Sequence, residues 1–213
     1  MRSFWRRRDW LAHCSLLLLP LPAWALVERK TLLVVGDSLS AEYGLARGAG
    51  WVALLQARID EQKLPYAVVN ASISGDTTSG GRSRLAALLQ QHKPAVVVIE
   101  LGGNDALRGL PLAMTQSNLG DMVRAAKAAG ARVLVVGMRV PPNYGRKYGD
   151  AFLALFASVA KDQGTALLPF LLAGVADGPQ ADTIFQPDGI HPKAEAHPRM
   201  LDNVWPQLRP LLR

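Results

Sequence analysis

Short apolar runs alternate with longer amphipathic segments along most of the chain. Apolar, largely β-branched runs predict strands at residues 31–35, 66–69, 95–101, 132–138 and 165–168. Between these runs, apolar residues recur three and four positions apart, which predicts helices at residues 47–63, 78–91, 115–129 and 148–163, with a last helix from about residue 193. The pattern therefore indicates a regular alternation of strands and helices.

The predicted strands are apolar throughout, as in Ala95–Leu101, where a half-buried strand would alternate with polar residues. Strands of this kind are buried on both faces, which is typical of a parallel sheet covered by helices. We therefore expect an α/β fold, a three-layer α/β/α sandwich with a mostly parallel five-stranded sheet. Functional groups in such folds lie on the loops beyond the carboxyl ends of the strands.

Residues 1–25 have the features of a secretory signal peptide. Basic residues precede an apolar stretch from Leu11 to Leu21, and Ala23-Trp24-Ala25 is a small-x-small cleavage sequence. The stretch is shorter than the roughly 20 apolar residues that span a membrane, so an uncleaved anchor is the less favoured alternative. We expect cleavage near Ala25, a periplasmic or secreted protein without stable membrane insertion, and a single domain over residues 26–213.

Much of the formal net charge of +7 lies in this N-terminal segment. Without residues 1–25 the charge falls to +4, and no Lys/Arg block with interleaved aromatic residues remains, which argues against nucleic-acid binding. The only cysteine, Cys14, belongs to the same segment, so the rest of the chain has no disulfide and no thiolate metal site. Asp188 and His191 could be two metal ligands, but no third has a convincing spacing, and no metal is predicted.

Polar and glycine residues follow the ends of the first three predicted strands. These blocks are Gly36-Asp37-Ser38, Ser74-Gly75-Asp76 and Gly102-Gly103-Asn104-Asp105, and Asp188-Gly189-Ile190-His191-Pro192 precedes the last helix. Because the carboxyl ends of parallel strands meet at one edge of a sheet, we expect a shared site there. Each block alone is also an ordinary turn sequence, but turn chemistry does not require the downstream Asp-x-x-His.

In this order, the four blocks resemble the Ser, Gly, Asn and His blocks of the GDSL (SGNH) hydrolases. The resemblance covers essentially the whole chain after residue 25 and is closest to the periplasmic thioesterase, lysophospholipase and arylesterase branch, since residues 142–148 are similar to a loop of that branch. It implies the flavodoxin-like SGNH hydrolase fold. The implied activity is hydrolysis of carboxylic esters or thioesters through an acyl-enzyme, by a monomer that needs no cofactor and binds small acyl substrates.

The resemblance implies that Ser38 is the nucleophile, that His191 is its base and that Asp188 completes the triad. A serine hydroxyl needs a base to take its proton, and a histidine can titrate near working pH. Asp188 is three residues before His191, close enough to accept a hydrogen bond from the second ring nitrogen and fix the tautomer. The implied oxyanion hole consists of the backbone N–H groups of Ser38 and Gly75 and the side-chain amide of Asn104.

The acyl pocket is expected across the loops at residues 106–113 and 140–147, with a lining that includes Leu107, Leu110, Leu112 and Pro141. Many members of the branch carry glycine in place of Glu42. We expect the Glu42 side chain to point to solvent; the alternatives are that it narrows the pocket mouth or alters the preference for substrate charge. Three further carboxylates are expected to organise loops or cap helices, namely Asp37, Asp76 and Asp105. His92 is expected to end a helix, and His197 to lie on the surface.

Two other functions stay open at this point. A carbohydrate or cell-wall O-deacetylase would use the same triad, but sugar sites usually offer exposed aromatic rings, whereas Trp51 and Trp205 occupy helix-stripe positions. A non-catalytic periplasmic binding protein on the same fold would lack a nucleophile, a base or an oxyanion donor, and the sequence lacks none of them.

Overall fold

The computed structural model describes residues 29–179, 181 and 183–213, so the predicted signal peptide lies outside the described residues. Within them, five strands form one parallel sheet: β1 (Lys30–Gly36), β2 (Tyr66–Asn70), β3 (Val96–Glu100), β4 (Arg132–Val136) and β5 (Ala166–Leu168). The spatial order is β2-β1-β3-β4-β5, and every neighbouring pair is parallel. The predicted α/β fold with a parallel five-stranded sheet is confirmed.

Helices cover both faces of the sheet. They are α1 (Trp51–Glu61), α2 (Thr78–His92), α3 (Gly103–Leu107), α4 (Leu112–Ala128), α5 (Arg146–Gln163) and α6 (His197–Leu208). Helices α1 and α6 contact each other on one face, whereas α4 contacts both α2 and α5 on the other, which gives three layers. None of the described helices has the length and hydropathy to cross a membrane.

The two central strands, β1 and β3, are apolar because helices cover them from both sides. Residues 32–35 and 96–99 are completely buried, as their unbroken hydrophobic pattern predicted. Burying each such side chain stabilises the fold by about 1.5–3 kcal/mol. The carboxyl ends of β1 and β3, and the loops that follow them, are therefore held on the most deeply packed part of the molecule.

The predicted element boundaries differ from the structure mainly in the irregular segments. Helix α1 begins at Trp51, four residues later than predicted, since Gly48 has a positive φ of 88° and Gly50 is extended. The last helix begins at His197 after a 3₁₀ turn over Ala194–Ala196. Helix α3 was not predicted because five residues are too few to show a helical period.

His197 does not lie on the surface as predicted but is 2% exposed in the core. Its Nδ1 accepts the backbone N–H of Trp51 at 3.0 Å, so it caps the first turn of α1, where helical N–H groups have no partner within the helix. Burial lowers the pKa of His197, while a hydrogen bond to the Pro192 backbone and the Glu42 carboxylate oppose that shift. The surface prediction rested on the position of His197 next to Pro198, and nothing in the local sequence indicates a contact with Trp51.

His197 is expected to weaken the fold in mild acid. Because its pKa is lower in the folded state, stability is lost as the pH falls through the ordinary histidine pKa of about 6.5. We expect the wild type to lose more unfolding free energy between pH 7.5 and pH 5.0 than His197→Asn, whose side-chain oxygen can accept the Trp51 N–H without titrating. Urea unfolding at both pH values measures the difference, since other titrating groups are common to both proteins; equal losses would contradict the assignment.

Candidate active site

The first loop of the site leaves β1 at Gly36 and turns sharply at Asp37. The backbone carbonyl of Asp37 accepts the N–H groups of Ser40 and Ala41 at 3.2 and 2.9 Å, and its Oδ1 accepts the N–H of Leu39 at 3.0 Å. Asp37 is 2% exposed, so these hydrogen bonds hold the turn from its buried side. Ser38, at the outer side of this turn, is only partly buried and lines a cavity.

The structure brings Ser38, His191 and Asp188 together across 153 residues of chain. Ser38 Oγ lies 2.8 Å from His191 Nε2, and His191 Nδ1 lies 2.7 Å from Asp188 Oδ2. An ionised Asp188 can only accept, so it fixes the ring proton on Nδ1 and leaves Nε2 to accept from the Ser38 hydroxyl. The arrangement is that of a nucleophile, a base and an orienting carboxylate.

Asp188 is held as an anion by its own loop. Its Oδ1 accepts the backbone N–H groups of Ile190 and His191 at 2.9 and 3.0 Å. Burial acts to raise the pKa of Asp188, but these bonds, together with the His191 ring, outweigh it and hold the pKa at about 2. The carboxylate therefore stays charged at any pH at which His191 could act as a base.

Two residues that the sequence analysis did not single out hold the His191 loop in place. The Gln186 backbone N–H donates to the His191 carbonyl at 2.8 Å, and its side-chain amide donates to the Tyr43 carbonyl at 2.9 Å. The Tyr43 ring lies against the His191 ring, with centroids 4.3 Å apart. Gly44 leaves room for this approach, since a Cβ there would lie 2.1 Å from Gln186 Oε1. Nothing in the local sequence distinguishes Gln186 from an ordinary loop residue.

The predicted oxyanion donors come from three loops at the same edge of the sheet. Asn104, in the first turn of α3, donates to Asp37 Oδ2 at 3.0 Å, and the second hydrogen of its amide is left for another acceptor. Gly75 has a φ of 78°, which favours glycine, and its carbonyl accepts from the Arg108 side chain at 2.7 Å. Within the described part of the chain, no acceptor bonds the N–H of Gly75 or of Ser38.

The loop carboxylates behave as expected from the sequence. Asp105 is fully buried and accepts from the Thr78 N–H at 2.8 Å, the Thr78 hydroxyl at 2.5 Å and the Thr115 hydroxyl at 3.2 Å. It thereby joins α3 to the first turns of α2 and α4. Asp76 lies in the loop that carries Gly75 and forms an ion pair with Arg84 of α2 at 2.8 Å.

Glu42 neither points freely to solvent nor lines the cavity, so its sequence-based expectation is corrected. Its carboxylate accepts the N–H of Gly48 at 3.0 and 3.1 Å and that of Gly50 at 2.8 Å. The backbone of Glu42 has a φ of 59°, which is unusual for a residue other than glycine. The side chain therefore braces the segment between the Ser38 turn and α1.

A cavity of about 590 Å³ opens beside Ser38, Asn104 and His191. Leu107 and Pro141, which the sequence analysis named for the acyl pocket, line this cavity together with apolar side chains that it did not name: Met138, Val140, Phe170, Leu172, Phe185 and Ile190. The prediction for Leu110 and Leu112 is corrected, because neither is among the described residues that line it. Gly109, between Leu107 and Leu110, has a positive φ, and Leu112 packs against the core.

Within the described residues, no group of three or more His, Cys, Asp or Glu side chains is placed to hold a metal ion. The polar groups beside the cavity instead form the Ser38–His191–Asp188 chain and the Asn104 amide. This arrangement supplies a hydroxyl with a base and hydrogen-bond donors, which are the groups that acyl transfer requires.

Comparisons with known proteins agree with this geometry. Residues 34–199 match the model of the GDSL-like lipase/acylhydrolase family. The chain is 56% identical over 183 residues to "Esterase TesA" of Pseudomonas aeruginosa, covering 86% of this chain and 90% of that protein. It is 44% identical over 200 residues to "Thioesterase 1/protease 1/lysophospholipase L1" of Escherichia coli strain K12, covering 94% and 93%.

The chain is also similar to a solved esterase structure. The psychrotrophic esterase EstA from Pseudoalteromonas sp. superposes with a TM-score of 0.80 at 38% identity, covering 86% of this chain and 98% of that one. The fold and these relatives define the chain as a carboxylic ester hydrolase. It belongs to the GDSL-like lipase/acylhydrolase family.

Loss of the Glu42 brace is expected to lower stability. Hydrogen bonds to a charged group contribute about 1.5–3 kcal/mol each when buried and less when partly exposed, as here, so we expect Glu42→Ala to lower the unfolding free energy by about 1–2 kcal/mol. Chemical denaturation of both proteins measures this. Glu61→Ala, which removes an exposed carboxylate at the end of α1, is the control. An unchanged unfolding free energy in Glu42→Ala would show that the brace contributes nothing.

Proposed function

We propose that this chain is an exported, monomeric serine hydrolase, with one domain over residues 26–213, that cleaves carboxylic esters or thioesters through an acyl-enzyme on Ser38. The observation that carries the proposal is the continuous hydrogen-bonded chain from the Ser38 hydroxyl through His191 to Asp188. The two contacts have lengths at which a proton can be passed without rearrangement. Export is supported by the signal-peptide pattern of residues 1–25.

In the proposed first step, Ser38 Oγ attacks the carbonyl carbon of the substrate while His191 Nε2 takes the hydroxyl proton. Asp188, charged and bonded to Nδ1, stabilises the imidazolium that forms. His191 then gives the proton to the departing alcohol or thiol. In the second step, a water molecule takes the place of the leaving group, His191 accepts its proton, and the acid leaves Ser38.

The negative charge that develops on the carbonyl oxygen needs donors that are already in position. The proposed donors are the backbone N–H groups of Ser38 and Gly75 and the free hydrogen of the Asn104 amide. Asn104 suits this role because its other amide hydrogen is bound to Asp37, which sets the orientation of the amide plane. Arg108, bonded to the Gly75 carbonyl, supports the turn that presents the Gly75 N–H.

The cavity favours acyl or aryl groups over sugars. Its lining is largely apolar, and Leu107 and Ile190 are about two-fifths exposed at its rim. Burying apolar substrate surface there would contribute about 25 cal/mol per Å². The names of the relatives, esterase and thioesterase/lysophospholipase, are those of enzymes that act on acyl compounds.

The alternative functions have less support. A carbohydrate deacetylase would use exposed stacking rings, and neither described tryptophan offers one at the site. Trp51 is completely buried, and Trp205 of α6 lies against Arg58 of α1 and is not among the described residues that line the cavity. A non-catalytic binding protein has no need for the contact between His191 and Ser38.

The first test uses p-nitrophenyl acetate, butyrate and octanoate with purified residues 26–213. We expect hydrolysis of all three, with the rate depending on chain length because the cavity accepts the acyl group. Ser38→Ala should lose at least about 10³-fold in kcat, because the nucleophile is gone. Failure of the wild type to hydrolyse any ester or to react with a fluorophosphonate probe would overturn the proposed function.

The oxyanion donor is tested separately with Asn104→Ala. Removal of one such donor costs about 10²–10³-fold in kcat, and we expect a loss of that size with a KM changed less than about threefold, because the donor acts mainly in the transition state. The matched control is Asn203→Ala, which removes an amide that bonds loop carbonyls beside α6. A kcat of Asn104→Ala equal to that of the control would remove Asn104 from the oxyanion hole.

A further inference from the structure

Two buried carboxyl groups lie side by side beneath the Ser38 turn, and the proposed proton transfers use neither. Asp37 follows β1, and Glu100 is the last residue of β3; each is 2% exposed. The register pairs Gly36 with Glu100, which places the two acids next to each other. Gly36 leaves the space for this, because a Cβ there would lie 2.9 Å from Glu100 Oε2.

The two acids have different hydrogen-bond partners. Asp37 accepts from the Leu39 N–H on one oxygen and from the Asn104 amide on the other, both at 3.0 Å. Glu100 Oε2 accepts the Ser40 hydroxyl at 2.7 Å and the Asp37 N–H at a longer 3.4 Å. Glu100 Oε2 thus reaches the backbone of Asp37 and lies 2.9 Å from where a Cβ of Gly36 would be, so the two carboxyl groups are neighbours in one buried space.

In the described part of the chain, no lysine or arginine side chain forms an ion pair with these two acids. The pKa of each acid is affected by the other acid, and that of Asp37 also by His191, which lies on the far side of Ser38. Two adjacent anions in a buried site strongly disfavour each other, so one of the two acids retains its proton.

The partners indicate which acid holds the proton. Both oxygens of Asp37 accept from N–H donors, which favours the anion, and its pKa is raised by burial only to about 6. Burial and the Asp37 charge raise the pKa of Glu100 well above its ordinary value. Each acid has two donors, but one of those of Glu100, the Asp37 N–H, is at a long 3.4 Å, so Glu100 has the weaker set of donors to stabilise a charge.

We propose that Glu100 is a positioning residue for the oxyanion hole: its carboxyl group is protonated at neutral pH and donates to the Asp37 carboxylate, which orients the Asn104 amide. This inference rests on the proposed ester hydrolysis for its catalytic consequence. A charged Asp37 can only accept, so it fixes which end of the Asn104 amide faces it. If Glu100 were the ionised acid, the one proton of the pair would lie on Asp37. Asp37 could then donate as well as accept, and it would no longer fix the orientation of the Asn104 amide.

Glu100→Gln and Glu100→Leu separate the proposal from a purely structural role. The glutamine carries a permanent donor toward Asp37 and an acceptor for the Ser40 hydroxyl, as a protonated glutamate does, whereas leucine carries neither. We expect Glu100→Leu to lose at least about tenfold in kcat with KM changed less than about twofold, and Glu100→Gln to restore kcat to within about threefold of the wild type. Equal kcat in both variants, or a loss in Glu100→Gln as large as in Glu100→Leu, would overturn the proposal.

Infrared difference spectra give a readout that needs neither turnover nor the leucine variant. In D₂O at pH 7, the wild type should show the C=O stretch of a buried protonated carboxylic acid, which should be absent from Glu100→Gln and present in Ser38→Ala. If the band survives in Glu100→Gln, or the wild type has none, Glu100 is not the proton holder. If wild type neither hydrolyses esters nor reacts with a fluorophosphonate, the proposed function fails, while the infrared result still decides the protonation of Glu100.

Discussion

The parallel pairing of β1 with β3 is the constraint on which the whole site depends. From β1 the chain crosses to β2 on one side, and β3 then lies on the other side of β1, so the direction of winding reverses between these strands. Loops diverge at such a point and leave a crevice beyond the carboxyl ends. Ser38 follows one of the two strands and Asn104 follows the other. Their separation is therefore set by the spacing of neighbouring strands in a buried sheet.

The remaining part of the site comes from a distant segment between β5 and α6. His191 and Asp188 lie on a loop with no strand of the sheet beneath it, and a short antiparallel bridge between Phe185 and Pro192 closes its base. Gln186 and the Tyr43 ring join this loop to the segment after Ser38. The site thus combines one half that follows the buried strands and carries Ser38 and Asn104 with a second half that is positioned by side chains.

The features that could be predicted from the sequence are those that depend on neighbouring residues in the chain. The strands of the sheet could be found because their burial leaves an unbroken apolar run, and Ser38, Gly75, Asn104 and His191 stand in blocks of a recognisable order. The structure places the first three at the ends of their predicted strands and brings Ser38 and His191 within hydrogen-bonding distance. Their chemical roles are still proposals.

The features that could not be predicted depend on contacts between distant segments. His197 was expected on the surface, yet it caps a helix that begins 146 residues earlier. Glu42 bonds two N–H groups of a glycine-rich segment whose path no periodicity describes. Leu110 is three residues after Leu107, but only Leu107 is among the described residues that line the cavity, and Gly109 between them has a positive φ. Each of these outcomes was decided by tertiary packing.

The absent Cβ of Gly36 limits how this chain can diverge in sequence. Added there, that atom would lie 2.8 Å from the Cβ and Oγ of Ser40 and 2.9 Å from Glu100 Oε2, a buried oxygen that is itself bonded to the Ser40 hydroxyl. Residues 36, 40 and 100 can therefore change only as a set, although 64 positions separate the first from the last. The glycine that ends β1 thus reflects the presence of an acid on the neighbouring strand β3, and a relative that replaced one would be expected to have replaced the other.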